Sequence, residues 1–257
     1  MTHPNFQNVG FSQANGWRAV ALHGSNLAVG STFEPITSSG FYRTPQVGSA
    51  VNLRVRAGGN ANDTATGSGA RSIYLQGLDE NGDEIEETIS TAGASASLAT
   101  TKKFFRLFKA EVSASGTYAT QTAGSHAGDI SIEDAVTGDL WALIVLNGFP
   151  KSTSEIAAYT VPRGYEAFVS QIRLQVEDGR RADAIFFQRK NVLQTAAPYS
   201  PMVDEIEFLD VIEDAQLDFQ TGLPYPPLTD IGLMGKANQS DTEIAADIYL
   251  VLRRTSL

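Results

Sequence analysis

The 257-residue sequence contains no cysteine and only three histidines. The absence of cysteine excludes disulfide bonds, thiolate metal sites and a cysteine nucleophile. No apolar run approaches the roughly 20 residues that are needed to cross a membrane. The first residues, MTHPNFQNVGF, have neither the basic start nor the apolar core of a secretory signal. We therefore expect a protein that is made in the cytoplasm, stays soluble and has no membrane partner.

Basic residues are also scarce, because 19 Lys and Arg stand against 29 Asp and Glu. The formal net charge is −10 and the sequence pI is about 4.8. Counted by halves, residues 1–147 carry 13 acids and 9 bases, and residues 148–257 carry 16 and 10. Both halves thus share the excess of acid. Such a surface repels phosphate, which argues against nucleic acid as a partner.

The stretch from Arg71 to Ser90, RSIYLQGLDENGDEIEETIS, predicts a β-hairpin. Leu75 lies in one strand-like run, and Ile85 and Ile89 lie in a second one. Between them stands Asn81-Gly82, a dipeptide that tolerates the two positive-φ positions of a type I′ turn. We therefore predict two paired strands joined by a two-residue turn.

The same pattern of short strands and polar turns recurs along the chain, and no long helical pattern interrupts it. A polar loop of about a dozen residues, Gly58 to Gly69, precedes the hairpin. The other segments predicted as strands are Val51–Val55, Phe104–Val112, Ile130–Glu133, Trp141–Leu146, Tyr159–Val161, Phe168–Val176, Ala184–Lys190, Asp230–Ala237 and Glu243–Arg253. Phe104–Val112 also fits a short helix, and its β-favouring neighbours favour the strand.

Three further predictions concern the second half of the chain. Asp178-Gly179 predicts a hairpin of the two strands on either side of it, and the turn at residues 238–241 predicts a terminal hairpin. The segment Val203 to Phe219 fits either a helical stripe or a strand. Pro-rich turns on both sides of this segment favour a strand that is followed by a loop.

The fold class predicted from this pattern is all-β, with two antiparallel β-sandwich (jelly-roll-like) domains. The breakers in Asn147 to Ser154, NGFPKSTS, mark the boundary between them. We predict an extended N-terminal arm at residues 1–18, an N-terminal sandwich at residues 19–147 and a C-terminal sandwich at residues 155–257. The isolated aromatic residues of the arm could anchor on a neighbouring subunit, and a frayed terminus is an equal alternative.

No motif predicts a metal or cofactor site. Asp79, Asn81 and Asp83 have the spacing of a calcium loop, but Glu84 stands where such a loop needs Gly, and strands flank it. The Gly67-Ser68-Gly69 loop lacks the Gly-Lys-Ser/Thr of a phosphate loop and leads into a strand rather than a helix. A solvated hairpin tip and a plain turn are therefore the expected structures.

No motif predicts catalysis either. His3, His23 and His126 are isolated, and a serine beside histidine in Ser125-His126 lacks an orienting acid. The paired carboxylates Glu86-Glu87, Asp204-Glu205 and Glu213-Asp214 are poor candidates for the two acids of a sugar cleft, because neighbours on a strand point to opposite faces. We expect no catalytic, cofactor-binding or metal-binding residue, so the protein is predicted not to be an enzyme; a carbohydrate-active enzyme is the minor alternative.

Two Pro-aromatic segments remain open to two interpretations. Pro198-Tyr199-Ser200-Pro201 and Pro224-Tyr225-Pro226-Pro227 suit exposed contact loops between subunits, and they equally suit rigid connections at the ends of a sandwich.

Several segments resemble a pattern found in structural proteins of tailed bacteriophages. The first part of the pattern covers about residues 45–170, and the second covers residues 223–252. The matching residues are Asn62-Asp63-Thr64-Ala65, Gly67-Ser68-Gly69-Ala70-Arg71, Gly77-Leu78-Asp79, Glu87-Thr88-Ile89, Phe104-Phe105-Arg106, Ala158-Tyr159-Thr160-Val161-Pro162 with Gly164, and Thr229-Asp230-Ile231.

The resemblance implies a virion protein, and in particular a capsid decoration (cement) protein that stabilises the head through contacts between subunits. It implies assembly in the host cytoplasm, location in the virion, and the major capsid protein or other virion proteins as partners. A homotrimer is expected because such proteins usually sit at three-fold positions. The alternative is a neck, tail or fibre component that contacts the host surface.

Overall fold

The computed structural model describes residues 16–39, 50–116, 124–146 and 152–255. Over these ranges the chain is all-β, with antiparallel sheets and no helix. Accordingly, the described residues include no helix with the length and apolarity to cross a membrane. The strands are β1 (Trp17–Val29), β2 (Glu34–Pro35), β3 (Val51–Arg56), β4 (Ala70–Leu78), β5 (Glu84–Ser90), β6 (Lys103–Phe104), β7 (Arg106–Ser115), β8 (Ile130–Asp134), β9 (Leu140–Ile144), β10 (Ala158–Thr160), β11 (Tyr165–Val176), β12 (Ala182–Arg189), β13 (Val203–Val211), β14 (Asp214–Tyr225), β15 (Asp230–Ala237) and β16 (Thr242–Arg254).

The chain divides into two compact units. The discontinuous unit comprises residues 1–40 and 156–257, and the inserted unit comprises residues 41–155. This division differs from the predicted domains at 19–147 and 155–257, because β1 pairs antiparallel with the last strand, β16. The predicted arm at residues 1–18 lies mostly outside the described residues, and Trp17 and Arg18 already belong to β1.

Two antiparallel sheets form the discontinuous unit. One has the strand order β1-β16-β11-β14, and the other has the order β10-β15-β12-β13 with the short β2 beside β15. Each sheet buries one face, because apolar residues recur at every second position. The buried residues include Ile172, Leu174, Ile244, Ile248, Leu250 and Leu252 from the first sheet, and Ala184, Phe186, Ile231 and Leu233 from the second.

The inserted unit contains a sheet with the order β6-β3-β8-β9 and a three-stranded sheet with the order β5-β4-β7. Its core comprises alternate residues of these strands, among them Leu53, Val55, Ile73, Leu75, Ile130, Ile132 and Ile144. The strands predicted at Val51–Val55, Ile130–Glu133 and Trp141–Leu146 are confirmed as β3, β8 and β9. The prediction over Phe104–Val112 is also confirmed, although Phe105 separates β6 from β7.

The hairpin predicted over residues 71–90 is confirmed as β4 and β5, with Leu78 opposite Glu84. The two-residue type I′ turn is wrong. Gly82 has a φ of +82°, but Asn81 is not among the residues with positive φ. The Gly82 N–H donates to the Asp79 carbonyl at 3.0 Å, and the Asp79 N–H donates to the Asp83 carbonyl at 2.9 Å. The connection is therefore a longer turn that needs only one glycine conformation.

The two hairpins predicted in the second half are wrong, although their four strands exist. β11 pairs with β14 and β16, whereas β12 pairs with β13 and β15. The turn at Gly179 therefore leads from one sheet to the other, and so does the turn between β15 and β16. Alternation of apolar residues is the same for a strand that pairs with its predecessor and for one that joins the opposite sheet. The pattern could not distinguish them.

The strand-then-loop prediction over Val203–Phe219 is half right. β13 is a strand as expected, but the predicted loop is a second strand, β14. The reversal between them is tight, since the Asp214 N–H donates to the Ile212 carbonyl at 2.9 Å. Glu213 adopts a φ of +66° there. The sequence supplies no Gly or Asn at this reversal, which is why the turn escaped the pattern.

Candidate functional site

A polar cleft of about 260 Å³ lies on the discontinuous unit. It is where the loop after β1, the start of β12, the end of β13 and the end of β15 meet. The lining residues are Ser31, Arg181, Ala182, Asp183, Asp210, Lys236, Ala237 and Asn238. Two cations and two carboxylates thus face a space of molecular size. None of these residues was singled out by sequence motifs, because they come from four separate segments.

The charges of the cleft compensate each other. Arg181 Nη1 contacts both carboxylate oxygens of Asp210, at 2.9 and 2.7 Å, and Lys236 Nζ lies 3.2 Å from Asp183 Oδ2. The backbone N–H of Asp210 donates to Asp183 Oδ1 at 2.8 Å. This contact is possible because Asp210 adopts a φ of +53°, a conformation that aspartate tolerates better than most residues.

The electrostatics keep Asp183 ionised. The hydrogen bond from the Asp210 N–H lowers the pKa of Asp183 below its ordinary value, and Lys236 acts in the same direction against the effect of burial. A carboxylate that is held ionised in this way is a hydrogen-bond acceptor rather than a general acid. The cleft therefore presents fixed donors and acceptors and suits the binding of a polar, uncharged group.

Ser125 and His126 do come together, as their adjacency in sequence allowed. Ser125 Oγ and His126 Nδ1 are 2.8 Å apart. Both side chains are buried, so a substrate could not reach the serine hydroxyl. No described carboxylate accepts a hydrogen bond from His126 Nε2. The pair thus lacks both the access and the orienting acid that a catalytic triad requires.

Burial makes His126 sensitive to pH. Desolvation lowers the pKa of His126 below 6.5 and outweighs the Val145 backbone and the charges of Asp63 and Asp129, which act in the opposite direction. The unfolded state therefore binds the proton more readily. We expect the stability that neutral His126 contributes to be complete above about pH 6.5 and to be lost as the pH falls towards the lower folded pKa.

The measurement is denaturant unfolding of the inserted unit between about pH 7.5 and 5, followed by Trp141 fluorescence in a Trp17→Phe background. His126→Gln should flatten the loss of unfolding free energy on acidification. His23→Gln is the matched control, because His23 is half-exposed in the discontinuous unit and contacts Asp247 at 2.7 Å. An unchanged pH profile in His126→Gln would contradict the prediction.

At the hairpin tip, where three residues have the spacing of a calcium loop, the Asp79 carboxylate stabilises the turn. Asp79 Oδ1 accepts the N–H groups of Asn81 and Asp83, each at 2.9 Å. Its carboxylate is thus already occupied. Across the described ranges, no group of three or more His, Asp or Glu side chains is placed to hold a metal ion.

The Gly-rich loop is organised around Asp63, whose side chain is fully buried. Asp63 Oδ1 accepts the N–H groups of Ala70 at 2.7 Å and Ala127 at 2.9 Å, and Oδ2 accepts that of Gly128 at 3.0 Å. A Cβ on Gly69 would lie 2.1 Å from Asp63 Oδ1, so this position excludes any side chain. The loop thus closes on an internal carboxylate, which accepts these three N–H groups.

Several residues of the pattern that resembles phage structural proteins make contacts within the fold. Phe104, Phe105 and Arg106 are buried, and Arg106 Nη1 donates to the Phe105 carbonyl at 3.1 Å. The two distant segments in the discontinuous unit meet directly, since Thr160 pairs with Asp230 across β10 and β15. These residues therefore contribute to the core and to the pairing of strands.

The adjacent carboxylates Glu86 and Glu87 contact different groups. Glu86 accepts a hydrogen bond from Tyr74 Oη at 2.5 Å, whereas Glu87 accepts the N–H groups of Thr101 and Lys102 at 2.8 and 2.9 Å. Burial, and then the hydrogen bond to Glu86, raise the pKa of Tyr74 to about 12. Neighbours in sequence thus serve different partners, as expected for opposite faces of a strand.

The two Pro-aromatic segments differ from each other. Tyr199 is exposed, in keeping with a contact loop. Tyr225 is buried at the end of β14 and packs edge-on against Phe186, with ring centroids 6.0 Å apart. Its hydroxyl donates to Glu205; burial, followed by this hydrogen bond, raises the pKa of Tyr225. The second segment is a rigid connection.

The comparisons with known proteins give no family. No family model matches the chain, and no curated protein matches it. Among solved structures, one of the infectious bursal disease virus Gt strain has 10% identity and a TM-score of 0.21 over 93% of this chain and 75% of that chain. A 2.6 Å structure of T=1 particles derived from the same virus has 10% identity and a TM-score of 0.21 over 99% and 80%. Values this low establish neither a shared fold nor a shared function.

Proposed function

We propose that this chain is a structural protein of a tailed-phage virion, and specifically a capsid decoration (cement) protein that stabilises the head through contacts between subunits. It would assemble in the host cytoplasm, bind the major capsid protein or another virion protein, and act as a homotrimer. It would carry out no catalysis.

The observation that carries the proposal is the strand order of the discontinuous unit. From β10 onward the chain alternates between the two sheets except for the adjacent pair β12 and β13, and β1 and β16 close the first sheet. This order supports an eight-stranded jelly roll, an architecture that viral capsid domains use. We propose that the inserted unit is also a β-sandwich; its strand order is different, so the jelly-roll interpretation applies to the discontinuous unit alone.

The placement of the polar residues gives a second support. The buried Asp63 and the Thr160–Asp230 contact are internal to the fold, and the polar cleft holds paired charges rather than a reactive group. A protein whose polar groups serve its own architecture suits a role in assembly. Stability that derives partly from contacts between copies is expected of such a protein.

The test is to prepare virions with and without the protein and to measure their resistance to heat and osmotic shock. Particles that lack it should lose DNA at a lower temperature, and adding back purified protein should restore resistance. Purified protein that sediments as a monomer, together with unchanged resistance of depleted particles, would refute the decoration role.

A neck, tail or fibre component that contacts the host surface is the second candidate. The polar cleft favours it, because donors and acceptors such as Arg181, Asp183 and Asn238 suit sugar hydroxyls, and lectin domains also use jelly rolls. Copy number separates the two roles: hundreds of copies per particle indicate the capsid, whereas roughly three to twelve indicate the neck or tail.

A further inference from the structure

The negative charge of this chain is concentrated in one segment, which we call the acidic edge, residues 203–225. It contains seven acidic residues and no Lys or Arg. Removing these seven from the total of 29 leaves 22 acids against 19 bases in the rest of the chain. The segment thus contributes −7 of the net −10. Because both halves of the chain have an excess of acids, this concentration is apparent only over a short stretch of sequence.

The acidic edge forms the outer strand of both sheets in the discontinuous unit. β13 is the last strand of one sheet, and β14 is the last strand of the other. Each strand therefore has one side on which no described strand pairs with its backbone. Register shifts in β13 opposite Ala182–Ala184 and Phe186–Phe187 make its outer side irregular. A partner here would contact side chains more than a continuous backbone ladder.

Apolar side chains lie among the acids. Leu209 is 68% exposed, and Met202, Val203 and Ile212 are exposed by more than two fifths. Four residues that point towards the core are only half-buried, namely Ile206, Phe208, Leu217 and Phe219. The core of the unit is thus incompletely covered along this side.

Protection of an open sheet edge explains only the charges. Acidic residues on an edge strand discourage pairing with another edge, and they would repel a second copy that docked here in the same way. Exposed leucine, valine and isoleucine have the opposite effect, because they favour association. Their combination with acids indicates a surface that excludes most partners and accepts one of complementary charge.

Part of the acid has no counter-charge within the described chain. Asp210 contacts Arg181, and Asp218 accepts hydrogen bonds from Gln171 and Gln216. Glu205 accepts hydrogen bonds from Gln188 and Tyr225. No described cation lies against the other four exposed carboxylates, which are Asp204, Glu207, Glu213 and Asp214. These four are available for a cationic partner.

We propose that the acidic edge is the docking surface for an extended protein segment that carries Lys or Arg beside apolar side chains. Its cations meet the four carboxylates, and its apolar side chains cover Leu209 and the half-buried residues between β13 and β14. That the segment belongs to another virion protein rests on the proposed function. The chemistry of the segment, cationic and apolar side chains together, does not rest on it.

The test uses a synthetic peptide of nine residues, the length of β13, with alternating Lys and Val. Binding is followed by fluorescence anisotropy. The peptide should bind this protein, and its affinity should fall as the salt concentration rises. Peptides with Glu in place of Lys, or Ser in place of Val, should bind at least about tenfold more weakly, since they lose the charge or the apolar contact.

The variant Asp204→Asn/Glu207→Gln/Glu213→Gln/Asp214→Asn should also weaken binding by about tenfold or more. The matched control, Glu80→Gln/Asp83→Asn/Glu84→Gln/Asp139→Asn, changes the net charge equally at exposed sites of the inserted unit and should bind like the wild type. The proposal would be overturned if the Lys-Val peptide did not bind, if the Lys-Ser peptide bound equally well, or if both variants lost affinity equally. Self-association of the wild type that the first variant abolishes would also overturn it.

Addition of the same variants to depleted particles separates this inference from the proposed function. If the peptide results hold but the wild type is absent from virions, the function is wrong and the surface stands. If the wild type and the first variant decorate particles equally well, the surface is wrong and the function stands.

Discussion

Asp63→Ala should lower the unfolding free energy of the inserted unit by about 3–5 kcal/mol. The carboxylate is the common acceptor for the buried N–H groups of Ala70, Ala127 and Gly128. Alanine cannot accept any of them, and each unsatisfied buried donor costs about 1–3 kcal/mol. Denaturant unfolding of the variant in a Trp17→Phe background measures the effect, because Trp141 is then the remaining fluorophore of its type.

Asp79→Ala is the matched control for this prediction. Asp79 also accepts two backbone N–H groups, those of Asn81 and Asp83, but it does so at an exposed hairpin tip. Water can replace the carboxylate there, so we expect a loss of about 1 kcal/mol or less. Equal losses in the two variants would show that Asp63 acts as an ordinary turn residue rather than as the organiser of the loop.

The role of Asp63 shows what the sequence could reveal and what it could not. The stretch from Gly58 to Gly69 was predicted as a polar loop, and it is the connection between β3 and β4. Its need for glycine at position 69 follows from the approach of the Asp63 carboxylate, which would lie 2.1 Å from a Cβ there. That approach is a contact formed in the fold, together with N–H groups about 60 residues further along the chain. Local spacing carries no information about it.

The strands could be predicted from local alternation of apolar residues, but their pairing could not. In β16, Ile244, Ala246, Ile248, Leu250 and Leu252 are all buried, as the period of two indicated. Its partners are β1 and β11 rather than the preceding β15. The pattern records which face of a strand is buried but not which strand lies beside it. The predicted domain boundaries differ from the two compact units at the same point, because β1 pairs with the last strand.

The clustering of acids in the acidic edge is visible in the sequence, but charge counts over each half of the chain do not show it. The seven acids lie within 15 consecutive residues, from Asp204 to Asp218. Their importance depends on β13 and β14 being outer strands of different sheets, and only the topology gives that. The polar cleft is the opposite case, since its residues are dispersed along the chain and only folding brings them together.

Asp230→Ala should destabilise the discontinuous unit by about 3–5 kcal/mol. Asp230 is fully buried, and its Oδ2 lies 3.4 Å from Arg189 Nη2, whose side chain is 5% exposed. Thr160 Oγ1 donates to Asp230 Oδ1 at 2.5 Å. These residues lie side by side on β10, β15 and β12, with Asp230 in the middle. Loss of the central carboxylate removes the counter-charge of a buried guanidinium.

A double-mutant cycle identifies the cause of that loss. If the buried charge of Arg189 is responsible, Arg189→Met/Asp230→Leu should be far more stable than the sum of the single variants implies, since an apolar pair leaves no charge behind. Trp17 fluorescence in a Trp141→Phe background follows the unfolding of this unit. Additive losses would mean that Asp230 stabilises the unit through Thr160 and the sheet rather than through Arg189. A strong coupling would instead show that the Arg189–Asp230 ion pair, at the end of the β12–β15 ladder, is the interaction whose loss destabilises the unit.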